Sequence, residues 1–89
     1  MITCAAVKAI VNGNENVFPV HRHCDFYWWM KMLGLEYDAS SSVQGFIDWD
    51  GKEERFVDRA TALQIARECN QIIHEDEVYA GELFSEALW

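Results

Sequence analysis

Two dipeptides, Asn12-Gly13 and Asp50-Gly51, punctuate this chain, and each stands between two runs of strand character. Both are strong hairpin signals, because tight antiparallel turns place residues at positive φ, which Asn, Asp and Gly tolerate. Before the first turn, Ile2 to Val11 is apolar on both faces, interrupted only by Thr3 and Lys8. That pattern suits a buried strand crowded by helices or by a second subunit. After the turn, Val17 to Val20 is the returning strand, and Pro19 restricts it to an edge or ends it. Around the second turn, Val43 to Trp49 alternates, with Val43, Gly45, Ile47 and Trp49 on one face and Gln44, Phe46 and Asp48 on the other. Glu53 to Val57 returns beside it.

A helix follows each hairpin. In the segment His21 to Gly34, Phe26, Trp29, Met30 and Leu33 make one apolar stripe at helical spacing, and Gly34 is the stop. Asp58 caps the second helix, whose expected core stripe is Ala62, Ile65, Ala66, Cys69 and Ile72. Glu36 to Ser42, with its run Ser40-Ser41-Ser42, reads as a flexible loop. Beyond an acidic loop at Glu75-Asp76-Glu77, the tail from Gly81 to Trp89 carries Leu83, Phe84, Leu88 and Trp89, and a chain end this apolar is expected to dock. The order strand–strand–helix is thus written twice. Phe18 and Phe56 each follow their turn glycine by five residues, and with two extra residues in the first copy His23 falls opposite Arg59. The expected fold is α+β in a single domain over 1–89. An antiparallel sheet is built from two β-hairpins in a ββα-ββα order, with two main helices on one face and a short C-terminal helix at an edge.

Eighty-nine residues supply one modest core, yet the chain has four Trp, five Phe and three Tyr. Some of these rings are expected to line a pocket or the interface of a homo-oligomer. Seven Lys and Arg stand against fifteen Asp and Glu, a net charge of −8. That balance argues against direct binding of duplex DNA, which needs a basic surface. It leaves two partners open: a basic protein that an acidic one would engage, or a small anionic ligand held by a local group of arginines. Cys4, Cys24 and Cys69 are widely spaced and read as reduced thiols. No apolar run approaches a membrane span. Cytoplasm is the expected location.

The candidate site gathers around the two helix starts. Arg55 and Arg59 lie within a few residues of the second start, where unpaired N–H groups and the helix dipole favour anions. The plainer reading makes them surface partners of Glu53, Glu54 or Glu68. At the first start, His21-Arg22-His23-Cys24-Asp25 admits a metal site, which the ligand spacing opposes. It also admits anion recognition, with Arg22 forking onto phosphate oxygens beside His23, or a solvated start in which Asp25 is the cap. Arg22 and Arg59 are expected near the surface with little part in folding. Cys24 next to His23 is no nucleophile pair, since adjacent helical residues point apart. Trp28, Tyr27 and Lys31 lie off the apolar stripe and are either part of a second buried face or a stacking platform for a flat ring. Phe46 is either core or a stacking ring, with Gln44 able to read a base edge. No catalytic motif, cofactor fingerprint or metal set appears.

Arg22-His23, Gln44-Gly45-Phe46, Arg55-Phe56-Val57-Asp58-Arg59 with Ala62, Ala66 and Gln71-Ile72, and Leu83-Phe84-Ser85-Glu86-Ala87-Leu88-Trp89 resemble a widespread family of small phage proteins. The pattern is similar to the Thoeris anti-defence sponges, which bind the cyclic ADP-ribose signal made by bacterial TIR enzymes and remove it without cleaving it. It departs at Asn70, which stands in the place of a glycine, and at Ala87, in the place of an acid. The resemblance implies a non-enzymatic counter-defence protein in the host cytoplasm that sequesters a cyclic nucleotide or cyclic ADP-ribose. Arg22, Arg55 and Arg59, with His23, would hold phosphates, Trp28 and Phe46 would stack on a base, and Gln44 or Asn70 would bond base or ribose groups. It also implies a homo-oligomer with pockets between protomers. A reading of another class is an acidic inhibitor of the anti-CRISPR type, docking Glu75-Asp76-Glu77 into the basic groove of a host defence protein. An enzyme that degrades the signal ranks last.

Overall fold

Both hairpins form, and they join into one antiparallel sheet in this computed structural model, which describes residues 1–89. β1 (Ile2–Val11) and β2 (Asn14–Val20) meet at the Asn12-Gly13 turn, where φ is 50° and 83°. Positive φ at both turn residues is what a two-residue hairpin of right-handed twist requires. β3 (Val43–Trp49) and β4 (Glu54–Asp58) meet at the second turn, where Asp50 Oδ1 accepts the Lys52 and Glu53 amides. The strand order is β2-β1-β3-β4. Pro19 therefore lies on an edge strand, the place its missing N–H demands.

α1 (His23–Leu33) and α2 (Arg59–Glu68) follow the two hairpins and cover one face of the sheet. Ala5, Val7, Ala9 and Val11 of β1, Phe46 of β3 and Val57 of β4 meet Phe26 and Met30 of α1 and Ala62 and Ala66 of α2 in a single core. Asp58 caps α2 by accepting the Thr61 amide at 2.7 Å. Gly34 ends α1 at φ 65°, the left-handed conformation that closes a helix without strain at glycine. No helix is long and apolar enough to cross a membrane.

Two local expectations are corrected, the buried face of α1 and the reach of α2. In α1 the buried residues are His23, Phe26 and Met30, while Trp29 and Leu33 are exposed. A histidine takes the first core position, and its bond to the sheet sets the rotation of the helix, which a count of apolar residues alone does not see. Cys69 is exposed because α2 has already ended at Glu68. The Glu36–Ser42 segment is ordered by its own contacts. Tyr37 bridges to Val11 and packs its ring on Phe26, and Asp38 caps a 3-10 turn at Ala39–Ser41. The tail is docked, with Leu83, Ala87 and Leu88 buried, but its only regular element is the 3-10 turn Ser85–Ala87.

Candidate functional site

The two helices start at the same level of the sheet because the two edge strands, β2 and β4, end there. Val20, at the end of β2, pairs with Ala5, and Asp58, at the end of β4, pairs with Gly45. Across the β1–β3 seam, Ala5 pairs with Phe46 and Ala6 with Gly45. The chain therefore leaves the two edge strands at one level of the sheet, and both helix N-termini border one pocket of about 260 Å³. Arg22, His23, Cys24 and Tyr27 form one wall, Gln44 and Arg59 another, and Phe84 and Glu86 of the tail close it.

His23 is the pivot. Its Nε2 donates to the Gly45 carbonyl at 2.7 Å, which leaves Nδ1 free to accept, and that atom faces Arg59 Nη2 at 3.5 Å. The ring stands edge-on to Phe46, 5.1 Å between centroids. Burial pushes the imidazole below its ordinary pKa and the Arg59 charge adds to that, while the Gly45 bond opposes both. His23 is therefore neutral at neutral pH. Gly45 has its own requirement: a Cβ there would collide with the Val57 carbonyl oxygen and the Phe56 ring.

Arg59 is held on four sides. Nη1 donates to the Leu83 carbonyl at 2.9 Å, Nη2 donates to Gln44 Oε1, and the guanidinium lies 4.4 Å over the Phe84 ring. Its fourth neighbour is His23. Gln44 Nε2 donates onward to the Tyr27 hydroxyl at 3.0 Å, so the amide is oriented at both ends. Burial lowers the Arg59 pKa, with Glu82 and Glu86 opposing, but a guanidinium stays charged throughout the physiological range. Arg22 donates to Ser85 Oγ at 3.1 Å and to the Trp89 main-chain oxygen. Its own amide donates to Asp25 Oδ2 at 3.1 Å. Both arginines thus fasten the tail across the helix starts, which corrects the expectation that they take little part in folding.

The chain's other two arginines are neutralised locally. Arg55 meets Asp48 at 3.0 Å and Arg67 meets Glu75 at 2.6 Å. Arg59, by contrast, bonds a carbonyl and an amide oxygen, with an imidazole beside it, and forms no ion pair. A guanidinium has five N–H donors, so this charge keeps bonding capacity to spare while its position is fixed.

Arg22, His23, Gln44 and Arg59 are brought together, and Trp28 stands exposed one helical turn beyond Cys24, outside the pocket lining. The other named residues lie elsewhere. Phe46 is fully buried beneath His23, where it supports the ring instead of facing the pocket. Arg55 pairs with Asp48, four strand residues from Gln44 or roughly 13 Å away along β3. Asn70 lies past the far end of α2, roughly 16 Å along the helix from Arg59. Its φ of 54° is a left-handed conformation that asparagine tolerates. Ala87 is fully buried, leaving no room for an acid. Of the off-stripe residues of α1, Tyr27 lines the pocket; Phe84, Ser85 and Glu86 were not singled out as site residues, since the tail joins the pocket only through tertiary docking. His21, His23 and Cys24 do not converge: His21 packs on Trp89, His23 turns inward and Cys24 is exposed.

A family model described as the phage T4 y16D protein matches residues 1–89. No curated protein and no solved structure matches the chain.

Proposed function

The chain belongs to the phage T4 y16D protein family, and from that premise we propose that it is a counter-defence protein of the host cytoplasm. It binds a small anionic nucleotide signal between its two helix starts and withholds it uncleaved, in the manner of the Thoeris anti-defence sponges its motifs resemble. One observation carries the reading: Arg59, an arginine with no carboxylate partner in a chain of net charge −8, is locked in position beside Arg22 at the mouth of two helix N-termini. Fixed guanidinium donors and a neutral imidazole together favour phosphate oxygens. The Tyr27 ring in the pocket wall and exposed Trp28 offer flat apolar surface to a base, while the Phe84 ring is already stacked on Tyr79 and covered by the Arg59 guanidinium. A pocket of about 260 Å³ is smaller than the ~300–1,000 Å³ of most small-molecule sites, so it takes a phosphoryl group and part of a sugar, with the rest of the ligand at the rim.

The test is to incubate the protein with cyclic ADP-ribose and a panel of cyclic dinucleotides, measure free ligand, then heat-denature and measure again. Depletion followed by return of intact ligand supports sequestration. Return of a cleaved product would make the protein an enzyme. Free ligand throughout, from a protein that still blocks host defence, would favour direct inhibition, which the −8 charge and the acidic turn Glu75–Glu77 suit.

A further inference from the structure

β1 is apolar on both faces, and the helices and tail are packed on only one of them. On the other face the register sets Cys4, Ala6 and Ile10 of β1 among Val17 of β2, Ile47 of β3 and Phe56 of β4. An antiparallel sheet covered on one side ordinarily turns polar side chains to water on the other. Here the outward positions of the two central strands carry a single charge, Lys8, whose ammonium lies 5.6 Å from the centre of the Phe56 ring. A groove of about 250 Å³ crosses this face, with Val17 and Pro19 on one side, Ile47 and Phe56 on the other, and Glu54 and Arg55 at its end. The charges gather at the margins instead: Glu15, Glu54 and Asp58, all exposed, take outward positions on the edge strands. We propose that this open face docks an amphipathic helix of another protein, one whose apolar stripe is flanked by lysines and arginines.

Shape favours a helix. Four strands at ~4.8 Å spacing make a face roughly 14 Å wide, enough for one helix of ~10 Å diameter, which would complete a third layer. An apolar cavity of ~150 Å³ accepts a benzene ring, so the groove has room for a large apolar side chain projecting from that helix. Charge selects the partner's flanks. An apolar centre with acids at its margins complements a stripe bordered by cations. A second copy would set these acids, and a net charge of −8, against their equals, and an anionic membrane would repel them too. The exposed strip of α1 has no such margin, since no acid lies between Phe26 and Leu35, so charge there selects no partner. The open face lies across the sheet from the pocket at the helix starts and does not use the acidic turn Glu75–Glu77, so the proposal stands apart from the nucleotide reading.

Three helix-forming peptides test it: a Leu/Lys amphipathic sequence, a Leu/Glu sequence with the same apolar stripe, and a Ser/Lys sequence with the same charge and no stripe. Each is titrated into the ¹⁵N-labelled full chain. The Leu/Lys peptide should bind saturably, at least about tenfold tighter than either comparator, because both the stripe and the charge contribute. Its shifts should centre on Lys8, Ile10, Val17, Ile47 and Phe56, a readout that needs no variant. Val17→Asn should weaken it about tenfold and Glu54→Gln roughly threefold, both side chains being exposed, while Met32→Asn on α1 changes nothing. Absence of saturable binding overturns the proposal, as does equal binding of the Ser/Lys peptide or shifts centred on α1 or on Glu75–Glu77. A parent that sediments as a dimer until Val17→Asn dissociates it would overturn it in favour of a second copy. Flotation of the parent with phosphatidylcholine vesicles, lost in the same variant, would overturn it in favour of lipid.

Discussion

α1 and α2 occupy equivalent places in the two halves of the fold, yet they present opposite outer faces. Each follows a hairpin, starts from an edge strand of the sheet and packs on the same face. Outward, α2 shows Ala60, Thr61, Gln64, Arg67 and Glu68, whereas α1 shows Trp28, Trp29, Met32 and Leu33. Their flanks differ as well. The tail returns to α2, where the Leu83 amide donates to the Arg59 carbonyl and the Phe84 ring lies against the Arg59 guanidinium. It reaches only the start of α1, through Arg22 and the His21 carbonyl, and leaves the outward strip bare. The polar helix is finished by its own chain, and the apolar one lacks an equivalent cover. The two helix starts border one pocket of about 260 Å³, so the asymmetry lies in the outer faces.

The comparison breaks most readily at the tail. Leu83 is fully buried, and Leu83→Ala should destabilise the protein by about 2–5 kcal/mol, a large part of the stability of a small domain. A urea midpoint unchanged from the parent would show that the tail does not complete the α2 side. Arg59→Ala comes next. It removes bonds to Leu83 and Gln44 and should cost about 1–3 kcal/mol, read as a lower midpoint at constant slope. Where the fold persists, calorimetry should show nucleotide affinity reduced about ten- to a hundredfold. Arg59→Lys should not restore it, because a lysine cannot reproduce the forked contacts.

His23 makes a smaller contribution, visible through pH. Its folded pKa lies below the ordinary value near 6.5, so the unfolded chain binds more protons between the two. The stability it contributes is complete above the unfolded value and is lost as pH falls below it through the folded one. Denaturation at pH 7.5 and 5.5 should show the parent weaker at the lower pH, and His23→Gln should flatten the difference. The smallest effect belongs to the polar helix: Gln64→Glu should shift stability by no more than about 0.5 kcal/mol, as exposed substitutions usually do. A larger shift would mean that α2 has a covered outer face.

Most of the fold was legible because its signals are local. The two turn dipeptides, Pro19, the Asp58 cap and the Gly34 stop each act within a few residues. The repeated hairpin–helix order even placed His23 opposite Arg59, and the structure brings those side chains to 3.5 Å. What was not legible depends on distant contacts. The rotation of α1 is fixed by a histidine bonding a strand carbonyl, and apolar spacing gives that residue no weight. Phe84, Ser85 and Glu86 reach the pocket only after the tail docks. Arg55 and Arg59 are neighbours in sequence, but the first is spent on Asp48 at the far end of β3 and the second turns into the helix starts.

The claim that the meeting of two helix starts is a nucleotide site has one direct test. Titration of the ¹⁵N-labelled protein with cyclic ADP-ribose and cyclic dinucleotides, following backbone amides and arginine Nε–H signals, reports where a ligand binds. The account predicts saturable shifts concentrated at Arg22, His23, Cys24, Gln44, Arg59 and Phe84, with the outer face of α2 unmoved. Saturable shifts centred elsewhere, such as Arg67, Asn70 and Glu75, or a panel in which no nucleotide moves these signals, would contradict it.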